Sequence, residues 1–208
     1  MPRIKIFAGN NNAGYDIGIW HIDETEEELL FRYPQLQKFA SGCSGYKSKS
    51  RRLEYLAVRA LLLDMYGIAE DVFHHNDGSP YLADGRHISV SHTKGVATVI
   101  VSRDMNVAID IEYCSDRVRR VVSHFLRPDE NAETTEALQL CWCAKETLYK
   151  LHKEDKLSFS EMRVAGMPDV FAMSGFFKIE NLRRGSTTEI DYLISKDYIL
   201  TYAVEKIV

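Results

Sequence analysis

The sequence of 208 residues has no long hydrophobic run. No segment reaches the ~18 consecutive apolar residues that a membrane-spanning helix needs. The N-terminal sequence Met-Pro-Arg-Ile-Lys lacks the apolar core of a secretion signal. These absences predict a soluble, cytoplasmic protein that has no membrane partner.

Cysteine is also scarce, and the four cysteines form no Cys-x-x-Cys pair. Cys141 and Cys143 lie two residues apart on a predicted helix and therefore face different directions. We interpret Cys43, Cys114, Cys141 and Cys143 as reduced thiols that are mostly buried, and a zinc site is the less favoured alternative.

The sequence lacks an excess of positive charge, since its net charge is −4. We therefore predict no nucleic-acid partner. Hydrophobic residues make up 45%, which suits a globular core and argues against disorder. Between Lys38 and Arg59, however, six cations stand against one acid, Glu54. This local balance favours an anionic ligand, although a solvated helix face gives the same pattern.

The segment from Val107 to Glu112 has the alternating pattern of a β-strand. Its period of two places Asp110 and Glu112 on the face opposite the isoleucines. Two carboxylates so close repel each other unless water solvates them or a cation lies between them. A cation site is therefore one of two interpretations, and an exposed strand edge is the other.

A predicted helix that includes Trp142 carries Glu146 and Lys150 one turn apart on one face. If this helix packs beside the strand, the acids Asp110, Glu112 and Glu146 form a magnesium site with a lysine beside it. Read alone, the Glu146–Lys150 pair is typical of an ordinary helix surface.

The order of predicted elements indicates an α+β fold. Strands are predicted at 18–22, 88–91, 96–102, 107–113, 175–181, 189–195 and 198–207. Helices are predicted after Thr25, at 50–66 and 115–123, and from Arg127 to about Lys153. Two lobes, 1–103 and 104–208, share this plan.

Four motifs stand in a fixed order along the chain. They are Gly78-Ser-Pro-Tyr-Leu82, Ile88-Ser-Val-Ser-His92, Ala108-Ile-Asp-Ile-Glu112 and Trp142-x-x-Lys145-Glu146-x-x-x-Lys150. Together they resemble the 4′-phosphopantetheinyl transferases of the larger, surfactin-synthetase-activating type. The clear match covers residues 76–151. Ser79 departs from the family, which usually has lysine there, and the glycine-rich end of the helix motif is missing after Lys150.

The resemblance implies an activity and a fold. The activity is transfer of 4′-phosphopantetheine from coenzyme A to a serine of an acyl or peptidyl carrier protein, with Mg²⁺ as cofactor and 3′,5′-ADP as product. The fold is a pair of similar lobes related by a pseudo-twofold axis, each a small antiparallel sheet packed with helices. The N-terminal lobe holds the coenzyme A 3′-phosphate, the C-terminal lobe holds the metal and faces the carrier, and a monomer suffices.

The resemblance also implies roles for individual residues. Asp110, Glu112 and Glu146 bind the metal, Glu146 takes the serine proton, and Lys150 neutralises the pyrophosphate. His92 contacts the 3′-phosphate. The candidate coenzyme A contacts are Lys38, Arg51, Arg52, Ser79, Pro80, Ser91, His92, Lys145 and Lys150.

Other interpretations remain beside these. Trp142 is more typical of a core anchor than of a stacking platform. The apolar residues Leu157, Phe159, Met162 and Met167 suit either a carrier-binding surface or the core. The rival functions are a non-catalytic protein that binds coenzyme A or a carrier, and a metal-dependent phosphohydrolase. The phosphohydrolase would usually need a second acid or histidine cluster, which the sequence does not offer at suitable spacing.

Overall fold

The computed structural model describes residues 5–8, 14–43, 45–167 and 169–207, with side chains from residue 14 onward. Helices and antiparallel sheets are present in equal measure, which confirms the predicted α+β class. The described chain divides into two compact units. Unit 1 comprises the residues up to Met105 and those from Lys206 onward, and unit 2 comprises Asn106–Glu205. The functional division into lobes stays a prediction.

Unit 1 is built on an antiparallel four-stranded sheet. Its strands are β1 (Lys5–Ala8), β2 (Tyr15–His21), β5 (His87–Thr93) and β6 (Val96–Ser102), in the order β1-β2-β6-β5. A separate ribbon pairs β3 (Phe73–His74) with β4 (Pro80–Tyr81). The helices are α1 (Glu26–Arg32), α2 (Gln37–Ala40) and α3 (Lys49–Tyr66). Helix α3 packs on β2 and β6.

Helix α1 begins after Thr25 as the sequence predicts, and α3 agrees with the predicted range 50–66 to within one residue. The Thr25 side chain and Glu28 form the predicted capping box of α1. Helix α3 buries Leu56 and Leu61 against the sheet, as its apolar stripe predicts. It ends at Gly67, which takes a left-handed conformation with φ of 71° that glycine adopts without steric cost.

Unit 2 has one five-stranded sheet and a long helix. The strands are β7 (Met105–Tyr113), β8 (Met162–Ala165), β9 (Ser174–Asn181), β10 (Ser186–Ile194) and β11 (Tyr198–Lys206), in the order β7-β11-β10-β9-β8. The helices are α4 (Val122–Phe125) and α5 (Thr135–Leu151). Helix α5 packs against β8, β9 and β10.

The predicted start of the long helix at Arg127 is wrong, because α5 begins at Thr135. Residues 127–130 form a turn, in which the Glu130 backbone N–H donates to the Arg127 carbonyl over 3.1 Å. The Glu130 side chain accepts from the Arg127 N–H over 2.8 Å. The helix starts after Thr134, whose hydroxyl accepts from the Ala137 N–H. Residues 115–123, predicted as one short helix, divide into a 3₁₀ turn at Asp116–Arg120 and the start of α4.

Strands β2, β5, β6, β7, β9, β10 and β11 confirm the seven predicted strands within a few residues. Strands β1, β3, β4 and β8 were not predicted. They have two to four residues each, which is too short for an alternating pattern to stand out from its surroundings.

Each unit has its own core. In unit 1, Trp20 packs with the apolar face of α3, and in unit 2, Phe125 and Leu148 pack with Ile179 and Ile190 of the sheet. All four cysteines are free thiols, and Cys114 is the exposed one. Among the described helices, none combines the length and the apolar character needed to cross a membrane.

Gly18 of β2 allows α3 to approach the sheet closely. A Cβ atom at this position would lie 2.7 Å from the Met65 sulfur and 2.8 Å from Leu61 Cδ1. We expect Gly18→Val to lower the free energy of unfolding by about 1–3 kcal/mol, because the added methyls overpack this contact. Chemical denaturation measures the change. Gly45→Ala is the control, since a Cβ at Gly45 meets no atom within 4 Å. Equal stability of the two variants would contradict the packing argument.

Candidate functional site

Strand β7 places Asp110 in an enclosed position. The residues from Val107 to Ile111 are all buried, and Asp110 itself is 6% exposed. A carboxylate in such a position requires a hydrogen-bonded or charged partner. Lys150 of α5 provides one, because its Nζ donates to Asp110 Oδ1 over 2.8 Å and to the Ile109 carbonyl over 2.9 Å. The strand and helix motifs therefore meet, as the sequence predicts.

Glu146 lies one helical turn before Lys150 and is half-buried. Burial is the main cause that raises the pKa of the Glu146 carboxyl, and the negative charge of Asp110 raises it further. The ammonium of Lys150 opposes this shift. Asp110, Glu146 and Lys150 thus form one interacting cluster of two acids and a cation, which we call the acid–lysine cluster.

Glu112 is half-exposed and lines a cavity of about 300 Å³ together with Trp142. The buried Cys143 thiol has a pKa raised by burial and then by the charges of Asp110 and Glu112, so both acids approach it. Among the described side chains, no group of three or more histidine, cysteine, aspartate or glutamate residues is positioned to hold a metal ion. The magnesium site formed by Asp110, Glu112 and Glu146 stays a prediction.

A cavity of about 500 Å³ opens beside Glu146 and has largely apolar walls. It is lined by His124, Glu146, Tyr149, Leu157, Ser158, Phe159, Ser160 and Met162. Leu157 and Met162 belong to the unit 2 core and also line this cavity, while Phe159 and Met167 pack against that core. Trp142 contacts Phe125 and Phe159 with ring centroids 5.3 Å apart in each pair, as expected of a core anchor.

Lys145 is placed differently from the predicted coenzyme A contact. Its side chain is fully buried, and Nζ donates to Glu130 Oε2 and to the Phe125 carbonyl, both over 2.7 Å. The other Glu130 oxygen accepts from the Val164 N–H over 2.7 Å. Lys145 therefore joins α5, the 127–130 turn and β8 inside unit 2. The prediction of a phosphate contact is corrected to this structural role, because the ammonium is enclosed by its own partners.

In unit 1, Arg51 and His92 line a cavity of about 420 Å³, which we call the Arg51–His92 cavity. Its lining residues are Tyr46, Arg51, Glu54, Tyr55, Val58, Arg59, Val72, His74, Gly78, Pro80, Val90 and His92. Arg51 projects from α3 and His92 from β5, and Arg51 Nη1 lies 2.7 Å from His92 Nε2. Three predicted coenzyme A contacts, Arg51, Pro80 and His92, therefore share one cavity.

Four other predicted coenzyme A contacts are not among the described residues that line this cavity. Lys38 donates to the Ala69 carbonyl over 2.8 Å, and Arg52 pairs with Glu26 over 3.0 Å. The Ser79 hydroxyl donates to Asp77 Oδ1 over 2.6 Å within its turn. Ser91 is buried in β5.

Sequence reasoning missed several residues of the Arg51–His92 cavity. Glu54 follows Arg51 by three residues on α3, a spacing that places both on one helix face and could have identified it. His74 comes from β3, which is too short to predict. Arg59 lines the cavity but is held by Asp71 at 2.5 Å and stacks 3.4 Å from the Tyr55 ring centroid, so it mainly braces the fold.

Comparisons with known proteins do not assign this chain to a family. It matches no protein-family model and no curated protein. The case for function therefore rests on the motifs and on the geometry of the acid–lysine cluster and the Arg51–His92 cavity.

We expect Lys145→Ala to lower the free energy of unfolding by about 3–5 kcal/mol, because it leaves the buried Glu130 carboxylate without its cation. Thermal and chemical denaturation measure this loss. Lys178→Ala removes an exposed lysine from β9 and serves as the control. A loss no larger than that of the control would contradict the structural role of Lys145.

We expect Glu146→Gln to stabilise the protein at neutral pH, because burial and Asp110 disfavour the charged carboxyl. The folded-state pKa of Glu146 is raised, so the wild type regains this stability as the pH falls through that pKa. The advantage of the variant should therefore vanish below the ordinary glutamate pKa of 4.5. Denaturation at several pH values tests this expectation. The exposed Glu136→Gln, on the same helix, should show no such gain.

Proposed function

We propose that this protein is a 4′-phosphopantetheinyl transferase, which moves the phosphopantetheine group of coenzyme A to a serine of an apo acyl or peptidyl carrier protein and releases 3′,5′-ADP. The observation that carries the proposal is the contact of Lys150 Nζ with Asp110 Oδ1 at 2.8 Å. Two motifs of the resemblance, 40 residues apart in the chain, meet there with Glu146 beside them.

The charges of the acid–lysine cluster suit this chemistry. Attack on a pyrophosphate is hindered by negative oxygens, and the leaving phosphate gains further negative charge. The Lys150 ammonium is fixed by two hydrogen bonds, so it is in place to neutralise that charge. With no cation bound, burial and Asp110 raise the pKa of Glu146, which suits a carboxylate that accepts the serine proton.

The carboxylates of Asp110, Glu112 and Glu146 are the hard oxygen donors that Mg²⁺ prefers, and the repulsion between Asp110 and Glu146 favours a cation beside them. These three residues would hold the ion. When bound, Mg²⁺ supplies additional neutralisation of the pyrophosphate charge. The two roles proposed for Glu146 compete, because a carboxylate that holds Mg²⁺ is a weaker base for the serine proton, which it would take directly or through water.

The Arg51–His92 cavity supports binding of the nucleotide end of coenzyme A. We assign the 3′-phosphate to Arg51 and His92, whose nitrogens can both donate to phosphate oxygens. Tyr46 and Pro80 add flat apolar surface to the walls. The exposed guanidinium of Arg51 supplies positive charge in this cavity, where the family lysine is replaced by Ser79.

The fold gives further support, since each unit is a long helix packed on an antiparallel sheet. This plan agrees with the two similar lobes of the family. The apolar cavity beside Glu146 is our candidate for the surface that receives the carrier protein, because it adjoins the proposed base. We also propose that the protein acts as a monomer and that it is located in the cytoplasm.

The experiment incubates the protein with coenzyme A, Mg²⁺ and apo-carriers from fatty-acid, polyketide and nonribosomal-peptide pathways, and follows carrier mass. We expect a gain of one phosphopantetheine arm on at least one carrier. Asp110→Ala, Glu146→Gln and Lys150→Ala should each reduce the rate at least about a hundredfold.

Glu136→Gln is the matched control, since Glu136 is an exposed acid on the same helix. Its rate should equal that of the wild type. Absence of mass gain on every carrier would contradict the transferase assignment. Coenzyme A binding without transfer would instead favour the non-catalytic alternative.

A further inference from the structure

Glu54 lies at the centre of the polar contacts in the Arg51–His92 cavity. Its Oε2 is 3.3 Å from Arg51 Nη1 and 3.4 Å from His92 Nδ1. Its Oε1 accepts from the Ser50 hydroxyl over 2.8 Å. The Glu54 side chain is 11% exposed, whereas that of Arg51 is 57% exposed. The acid is therefore the fixed member of the group, and the arginine is the member that reaches outward.

Arg51 and Glu54 both contact the ring of His92. Arg51 Nη1 lies 2.7 Å from Nε2 and 3.4 Å from Nδ1. Glu54 Oε2 lies 3.4 Å from Nδ1. Glu54 thus touches both cavity side chains and restricts the orientations that they can adopt.

A phosphate ligand changes these requirements, because Arg51 and His92 must then both donate to its oxygens. His92 then turns a ring N–H toward the phosphate beside the guanidinium of Arg51. Two donors that point at one ligand from so short a distance repel each other. The carboxylate of Glu54, close to both, offsets the repulsion and holds the two donors side by side.

We propose that Glu54 is a positioning residue, which orients Arg51 and His92 to recognise the terminal phosphate monoester of the nucleotide. This inference rests on the proposed function, and it adds a residue that acts through the two phosphate contacts. Because Glu54 acts through these donors alone, its loss affects ligands that carry the 3′-phosphate and spares those that lack it.

The test measures the affinities of the full-length protein for 3′,5′-ADP and 5′-AMP by calorimetry. We expect the wild type to prefer 3′,5′-ADP. Glu54→Gln keeps the side-chain shape but removes the charge, and it should reduce this preference about tenfold or more. Glu54→Ala should reduce it at least as much. Ser50→Ala, which frees one Glu54 oxygen, should have a smaller effect in the same direction.

Glu26→Gln is the matched control, since Glu26 also pairs with an arginine of α3 at 3.0 Å but is not among the described residues that line the cavity. It should leave the preference unchanged. Thermal unfolding of each variant establishes that it is folded. If Glu54→Ala does not fold, the nucleotide preference of Glu54→Gln alone decides the test.

The outcomes separate the inference from the proposal beneath it. A wild type without preference for 3′,5′-ADP overturns the phosphate assignment, and the inference with it. A wild-type preference that Glu54→Gln leaves unchanged or increases overturns the positioning role alone. An equal loss for both nucleotides overturns it as well, since it indicates a general structural effect.

Discussion

The hydrogen-bonded ion pair between Lys150 and Asp110 joins the long helix of unit 2 to strand β7 and allows a carboxylate to be buried there. Asp110 sits within a stretch of β7 that is buried on both faces, where an isolated carboxylate would be strongly unfavourable. Lys150 supplies the positive charge and also contacts the Ile109 carbonyl. These two contacts link α5 to β7, and Glu146, one helical turn before Lys150, lies within the electrostatic influence of Asp110.

Neighbouring residues of α5 illustrate two uses of a buried charge. Lys145 is fully enclosed, and Glu130 and the Phe125 carbonyl satisfy it. Glu146, the next residue, points in a different direction and meets the charge of Asp110 as well as that of Lys150. The first arrangement stabilises the fold. The second arrangement raises the pKa of the Glu146 carboxyl, and shifted pKa values of this kind are typical of functional sites.

The parts of the fold that the sequence could predict are those governed by local periodicity. Helix α3 and strands β5 to β7 follow their apolar patterns closely. The acid–lysine cluster was also predictable, because its two motifs are recognisable and each is regular. Lys145 was not, since its partner Glu130 lies 15 residues earlier in a turn with no repeating pattern. Pairing across such a turn depends on how helices and strands pack together, which spacing alone does not encode.

The Arg51–His92 cavity and the acid–lysine cluster each contain one charged residue beside two groups of the opposite sign, but the signs are reversed between them. In unit 1, Glu54 stands between two cationic or potentially cationic groups, and in unit 2, Lys150 stands beside two acids. In unit 1, the negative charge of Glu54 reduces the repulsion between Arg51 and His92. In unit 2, the positive charge of Lys150 reduces the repulsion between Asp110 and Glu146. A cluster with excess donors suits a phosphate monoester, and a cluster with excess acids suits a hard cation that binds a pyrophosphate. Among the described residues, the first pattern is found in unit 1 and the second in unit 2.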